Sequence, residues 1–317
     1  MRATDFMLNI LKKLQSEKDL AESTSTKYIK NLYVLNNSKS FKNLAWVKKK
    51  DLIDNSLSPY AKSTQKTLIA SLVSVLSLFK DKPSYNKIHK YWFERMMDTS
   101  KDKAESQKLT TEKQKKNWLD WEQITLIKNN LKTEVNTFCK NKFITKKQYN
   151  KLLQYVLVSL YTDIPPRRNK DFQEMYVVRK YTDKRDQNKN YLDLTNSKFV
   201  FNAYKTAKKY GKQVIDFSDN KDLENVLVCY LKHHPLKKRI GKNTEFRFLV
   251  NEDGSPLPND NSITRILNKA FKKNVGTSML RHIFLTSKYG DNIKEMEQDA
   301  KDMGHSVEQQ KDYVVAL

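Results

Sequence analysis

Glycine and cysteine are both scarce in this chain of 317 residues, and this limits the folds and sites that the chain can form. All six glycines lie beyond residue 210, so the first two thirds of the chain lack the residue that, after proline, most readily interrupts a helix. The two cysteines, Cys139 and Cys229, lack the spacing of a zinc site, and we expect buried thiols in a reducing compartment. The sequence contains no Gly-rich phosphate loop and no metal-binding motif.

Long apolar runs are also missing. The longest, YVLVSLY (155–161), is far shorter than the ~20 residues that span a bilayer, and it predicts a core helix instead. The N-terminus carries charges too early and too close together for a signal peptide. We therefore expect no membrane partner and an intracellular protein, in either the cytoplasm or the nucleus.

Acidic residues are too few to balance the basic ones. Sixty Lys and Arg stand against 36 Asp and Glu, which gives a net charge of +24 and an isoelectric point near 9.7. The excess is shared, with +10 over residues 1–110 and +14 over residues 111–317. Such an excess attracts polyanions, and it predicts double-stranded DNA as the partner, held between two basic lobes. A generally basic soluble protein is the alternative on charge alone.

The N-terminal region, residues 1–85, is predicted to be a helical domain. Candidate N-caps at Ser23–Thr24 and Ser63–Thr64 precede two helices. The apolar residues with helical spacing in these two helices are Tyr28, Leu32 and Leu35, and then Leu68, Leu72, Val75, Leu76 and Phe79. Residues 45–59 predict a short helix that ends before Pro59. A helical adaptor with another role is the alternative for this region.

Residues 86–110 are rich in charge, which predicts a partly helical interdomain linker, and a second domain follows over 111–317. Helices are predicted in this second domain over 119–133, 145–161, 219–234 and 260–272. Short segments rich in β-branched and aromatic residues predict strands within 175–181, 191–195, 198–204 and 212–217. The predicted fold class is mainly α with a small antiparallel β-sheet (α+β).

Four motifs in the second domain carry groups that bind or attack phosphate. They are, in chain order, PPRRNKDFQEM (165–175), AYKTAKKYGKQ (203–213), TSMLRHIFLT (277–286) and GHS (304–306), and the last is followed by the lone Tyr313. In the first motif the arginines open a helix, where backbone N–H groups and the helix dipole favour an anion. No other tyrosine follows His305.

This order of motifs resembles the tyrosine recombinase (phage integrase) family. The resemblance covers most of 111–317 by motif and the N-terminal region only by its helical pattern. It implies five catalytic residues, which are Arg168, Lys205, Arg281, His305 and Tyr313. Arg167 is the alternative for the first arginine, and Lys208, Lys209 and Lys212 are alternatives for the lysine. It also implies a two-lobed DNA clamp, in which a core-binding domain and a catalytic domain close around the duplex.

The resemblance assigns a role to each group. Tyr313 attacks the scissile phosphate to give a 3′-phosphotyrosine, and Lys205 protonates the leaving 5′-oxygen. Arg168 and Arg281 hold the two non-bridging oxygens, and His305 donates a further hydrogen bond. Metal, nucleotide and other cofactors are not required. Four protomers are expected on two duplexes, with a monomer or dimer in the absence of DNA.

Three further residues are predicted beside this set. Asp171 is expected to orient the guanidinium of Arg168, and His282 is expected to be a buried structural imidazole. Ser278 stands where the family has histidine, and Tyr313 follows His305 by eight residues where the family more often has nine. Two other functions stay open on this evidence, which are a type IB topoisomerase and a DNA-binding relative whose catalytic site has decayed.

Overall fold

The computed structural model describes residues 2–107, 112–239, 244–259 and 261–303. The chain divides into two compact units, Met1–Thr110 and Thr111–Leu317, and both are mainly helical. Among the described helices, none combines the length and the apolar character that a membrane crossing requires.

Within the described residues, five α-helices form the N-terminal unit. They are α1 (Asp5–Ser16), α2 (Glu22–Leu35), α3 (Lys50–Leu57), α4 (Lys62–Leu76) and α5 (Pro83–Gln107), with a 3-10 turn at Ala45–Lys48 before α3. Leu32 and Leu35 of α2 and Leu68, Leu72 and Leu76 of α4 are buried, as their helical spacing predicted. The predicted end of α3 before Pro59 is also confirmed.

The predicted N-caps of α2 and α4 are wrong. Each helix begins earlier, with Ala21 and Ala61 at the cap positions and no side-chain hydrogen bond there. Both alanines have extended backbone, and the carbonyl of each accepts the first helical N–H groups. No capping hydroxyl therefore marks the start of either helix.

The segment predicted as a partly helical linker, 86–110, is helical as far as residue 107. Residues 83–107 form the single helix α5, and Trp92 in its first half is fully buried in the N-terminal core. Helix α5 packs against α4. The average composition of residues 86–110 did not show that α5 has an apolar face that packs in the core.

The C-terminal unit contains eight α-helices within the described residues. They are α6 (Glu112–Asn117), α7 (Trp121–Asn136), α8 (Lys146–Thr162), α9 (Asn169–Gln173), α10 (Ala207–Tyr210), α11 (Lys221–His233), α12 (Asn261–Phe271) and α13 (Thr277–Asp302). The helices predicted over 119–133, 145–161, 219–234 and 260–272 correspond to α7, α8, α11 and α12. A reciprocal capping box starts α8, since the Thr145 hydroxyl accepts from the Gln148 N–H at 3.2 Å and the Gln148 side chain accepts from the Thr145 N–H at 2.8 Å.

Helix α8 is the centre of this unit. Every residue of the apolar run 155–161 is buried, and α7, α11, α12 and α13 all contact the helix. The prediction of a core helix for this run is confirmed. Because α8 ends at Thr162, the chain leaves the core directly before the segment that carries the first predicted arginines.

The sheet has five strands in the order β4-β3-β2-β1-β5. They are β1 (Tyr176–Val178), β2 (Tyr191–Asp193), β3 (Lys198–Phe201), β4 (Gln213–Asp216) and β5 (Phe246–Arg247). The prediction of a purely antiparallel sheet is wrong, because β1 and β2 pair in parallel. The connection between them, residues 179–190, has the dozen residues that a parallel crossover needs.

Cys139 and Cys229 form a disulfide, with their Cα atoms 5.8 Å apart. The expectation of two separate thiols is therefore wrong. Cys139 follows the end of α7 and Cys229 lies on α11, and both of these helices pack on α8. The tertiary fold thus joins two residues that are 90 positions apart in the sequence.

Candidate active site

Arg168 lies at the N-cap of α9, where its backbone is extended. Its side chain is half-buried. Helix α9 has only five residues, so its dipole contributes less to anion binding than the sequence suggested. Residues 163–168, which include Pro165 and Pro166, join α8 to α9.

The side chain of Arg167, and not that of Arg168, pairs with Asp171. Arg167 Nε lies 3.0 Å from Asp171 Oδ2, and this pair is largely shielded from solvent, with side-chain exposures of 13% and 4%. The prediction that Asp171 orients Arg168 is therefore corrected. Spacing along the chain did not distinguish the two arginines, because both can reach one turn forward along a helix.

Electrostatics connect this pair with the second predicted arginine. Burial raises the pKa of Asp171, while the charges of Arg167 and Arg168 oppose that rise. The pKa of the buried Tyr161 at the end of α8 is also raised by burial and by Asp171, and it is lowered by Arg281. Asp171 and Arg281 thus act on the same phenol from two different segments of the chain.

Arg281 lies in the second turn of α13. Its Nη2 donates to Ser278 Oγ at 3.0 Å, and its Nε donates to the Thr277 carbonyl at 3.4 Å. Ser278, which stands at the family's histidine position, therefore contacts the arginine. His282 is exposed, so the expectation of a buried structural imidazole is wrong.

Lys205 is exposed on the connection between β3 and β4. These two strands pair in antiparallel register, with Phe201 opposite Gln213, as the predicted hairpin requires. The one-turn helix α10 lies within the connection and carries Lys208 and Lys209, the alternative lysines. The connection is therefore longer and more structured than a simple turn.

His305 and Tyr313 lie outside the described residues. The assignment of a hydrogen-bond donor to His305 and of the nucleophile to Tyr313 rests on sequence alone.

The structure brings together the segments of three predicted residues. Arg168 is adjacent to Arg167, whose guanidinium Cζ lies 5.0 Å from the ring centroid of Tyr204, the residue before Lys205. Arg281 lies on α13, which contacts α8, the helix that ends before the segment of Arg168. Arg168, Lys205 and Arg281 lie on three separate segments of this unit, and cationic side chains of this kind can bind a phosphate and stabilise charge that develops on it.

Sequence reasoning missed three polar residues of this region. Tyr161 donates to Asn169 Oδ1 at 3.0 Å, Gln213 accepts from Arg167 Nη1 at 2.8 Å, and the buried Asn190 donates to the Asp171 carbonyl at 3.0 Å. Tyr161 lies in an apolar run, and the two amides occur beside short strands. None of these positions carries a local pattern that signals a site.

The chain matches no family model, no curated protein and no solved structure. The resemblance to tyrosine recombinases consequently rests on the motifs and their order.

Proposed function

We propose that this protein is a site-specific DNA strand transferase of the tyrosine recombinase type. The observation that carries the proposal is the contact between the segments that bear Arg168 and Lys205, made by Arg167 and Tyr204, in a basic unit where α13, which bears Arg281, packs on α8. The order of these residues along the chain, followed by His305 and Tyr313, supports the same reading. Four protomers would act together on two duplexes.

The proposed reaction needs only side chains and DNA. The Tyr313 oxygen forms a bond to the scissile phosphorus while the bond from phosphorus to the 5′-oxygen breaks. The phenolic proton passes to water, because Ser278 is a poor base, and Lys205 gives its ammonium proton to the departing oxygen. Arg168 and Arg281 stabilise charge on the non-bridging oxygens. The covalent bond retains the phosphodiester energy, so a 5′-hydroxyl of a second end can rejoin the strand.

The N-terminal unit favours a recombinase over a type IB topoisomerase. Its described residues form helices and no strands, whereas a topoisomerase of this size is expected to begin with β-structure. Relaxation of a supercoiled plasmid at a wide range of sequences would support the topoisomerase instead.

Covalent capture on nicked duplexes tests the proposal. Because the target sequence is unknown, the duplexes carry randomised positions around the nick, and protein–DNA adducts are recovered after denaturation and sequenced. Wild type should form an adduct, Tyr313→Phe should bind DNA and form none, and Arg281→Ala should form almost none. Tyr289→Phe, which alters an exposed tyrosine of α13, is the matched control and should behave as wild type. An adduct that persists in Tyr313→Phe would move the nucleophile elsewhere, and binding without any adduct in wild type would indicate the decayed relative.

A further inference from the structure

The connection that carries Lys205, residues 202–212, is fastened at both ends. The Tyr204 hydroxyl donates to the Gly211 carbonyl at 2.7 Å, which closes the connection across its own base. Asn190, which is buried, accepts from the Ala203 N–H at 2.8 Å and donates to the Ala203 carbonyl at 2.9 Å. The two residues directly before Lys205, Ala203 and Tyr204, are therefore both held by hydrogen bonds.

Arg167 contacts three residues that frame this connection. Its Nη1 donates to Gln213 Oε1 at 2.8 Å, and its Cζ lies 3.8 Å from the ring centroid of Phe201 and 5.0 Å from that of Tyr204. Phe201 is the last residue of β3 and Gln213 is the first residue of β4. The guanidinium thus contacts both strand ends and the residue directly before the lysine.

Asp171 fixes this guanidinium from the other side. Its carboxylate accepts from Arg167 Nε at 3.0 Å, while its backbone carbonyl accepts from Asn190 Nδ2 at 3.0 Å. The segment with the first predicted arginines is therefore joined to the Lys205 connection twice, through Arg167 and through Asn190. Two of the Arg167 donor atoms are committed to protein partners, and its guanidinium also lies against the Phe201 ring, so the protein holds this side chain on several sides.

We propose that Arg167 is a positioning residue, which holds the β3–β4 connection against α9 so that Lys205 can protonate the leaving 5′-oxygen. This inference rests on the proposed function. A guanidinium suits the role because its planar fork can donate to a carboxylate and to an amide while its face lies against aromatic rings. A lysine ammonium at the same position keeps the charge and cannot make all of these contacts together.

DNA with sulfur at the bridging 5′ position separates positioning from phosphate binding. A departing thiolate needs no proton, so this substrate bypasses the general acid. We expect Arg167→Lys to cleave ordinary DNA between about tenfold and about a hundredfold more slowly, and to approach the wild-type rate on the sulfur substrate. Lys205→Ala should show the same rescue, and Arg281→Lys should not.

Two further variants sharpen the comparison. Gln213→Ala removes one contact of Arg167 and should give a smaller slowing that sulfur also rescues. Arg185→Lys is the matched control, because Arg185 pairs with Glu245 at 3.8 Å and lies 5.9 Å from the Tyr191 ring. It should cleave both substrates as wild type does. Slow cleavage of both substrates by Arg167→Lys, or normal cleavage of both, overturns the positioning role.

Hydrogen exchange distinguishes a failure of this inference from a failure of the proposed function. Amides of residues 202–212 should exchange faster in Arg167→Lys than in wild type, while those of Arg185→Lys should not change. If residues 202–212 exchange faster in Arg167→Lys but the wild-type protein forms no adduct with DNA, Arg167 still holds the connection and the proposed chemistry is rejected. If the wild-type protein is active but Arg167→Lys shows neither faster exchange nor rescue by sulfur, the inference that Arg167 holds the connection is rejected.

Discussion

At the scale of single residues, the C-terminal core favours the neutral form of the His234 imidazole. Its side chain is almost fully buried, with Nε2 placed 3.1 Å from the Phe248 carbonyl and Nδ1 accepting from the Leu236 N–H at 3.0 Å. Burial lowers the pKa of His234 to about 4, although bonds to backbone carbonyls oppose this shift. The neutral imidazole is therefore the form that this core accommodates.

This depressed pKa predicts a loss of stability in mild acid. Between the ordinary histidine pKa of 6.5 and the folded value of about 4, the unfolded chain binds the proton and the folded chain does not. The free energy of unfolding should therefore fall as the pH drops through this window, by up to about 3 kcal/mol from this group. Urea unfolding followed by circular dichroism between pH 7 and pH 4.5 measures the fall.

The control for this titration is a second histidine. His234→Gln should lose part of the pH dependence, while His282→Gln, which alters an exposed ring, should keep all of it. The same pH dependence in wild type and His234→Gln would show that other groups cause the acid sensitivity.

The residues of the candidate site were predictable to different degrees. Lys205 and Arg281 were predicted from motifs whose residues are close in sequence, and their roles stay predictions. The sequence did not show that Arg167, and not Arg168, pairs with Asp171. The Arg167 side chain is also held by Gln213 and by aromatic rings that lie more than thirty residues away in the sequence. The exposure of His282 was missed because one apolar helix motif does not show which face meets the core.

At the scale of elements, α5 shows how a charged helix can still belong to a core. Trp92 is fully buried, whereas the next residue, Phe93, is 43% exposed. The Arg95 guanidinium lies 5.2 Å from the Trp92 ring and also pairs with Asp54 of α3. The first half of α5 is thus tied to the N-terminal unit by an aromatic anchor and by an ion pair.

Truncation of the two adjacent aromatic residues tests this assignment. Trp92→Ala should reduce the free energy of unfolding of the N-terminal unit by about 3–5 kcal/mol, because it leaves a large cavity. Phe93→Ala should cost less than about 1 kcal/mol, because its ring is already partly in water. Chemical denaturation of the full chain measures both. Equal and small losses would show that Trp92 does not anchor α5 in the core.

The helices of this protein were more predictable than its strands. An apolar period of 3.6 residues repeats several times along α4, α7 and α8, so the signal accumulates within one element. Each strand has four residues or fewer, and β5 has two, so no period can build up. The parallel pairing of β1 with β2 depends on the path of residues 179–190, which local propensity does not encode.

At the scale of the whole molecule, the main feature is the positive charge of both units. The N-terminal unit carries +10 and the remainder of the chain +14, and each unit has its own core. The proposed clamp requires that both units contact the same duplex. Charge alone shows only that each unit can attract phosphate, so the proposal turns on a measurement that separates their contributions.

The salt dependence of binding to random duplex DNA supplies that measurement. With roughly five or more phosphate contacts, a plot of log affinity against log salt should have a slope of about −4.5 or steeper, because each contact releases counterions. Replacing Lys27 and Lys30, which are exposed on α2, with Gln should flatten the slope by about 2 if the N-terminal unit is engaged. Replacing Lys208 and Lys209 on α10 should do the same for the C-terminal unit. A clamp requires that replacing either pair flattens the slope in the intact chain. Flattening by one pair alone would assign DNA binding to one unit. A wild-type slope near zero would reject electrostatic binding altogether.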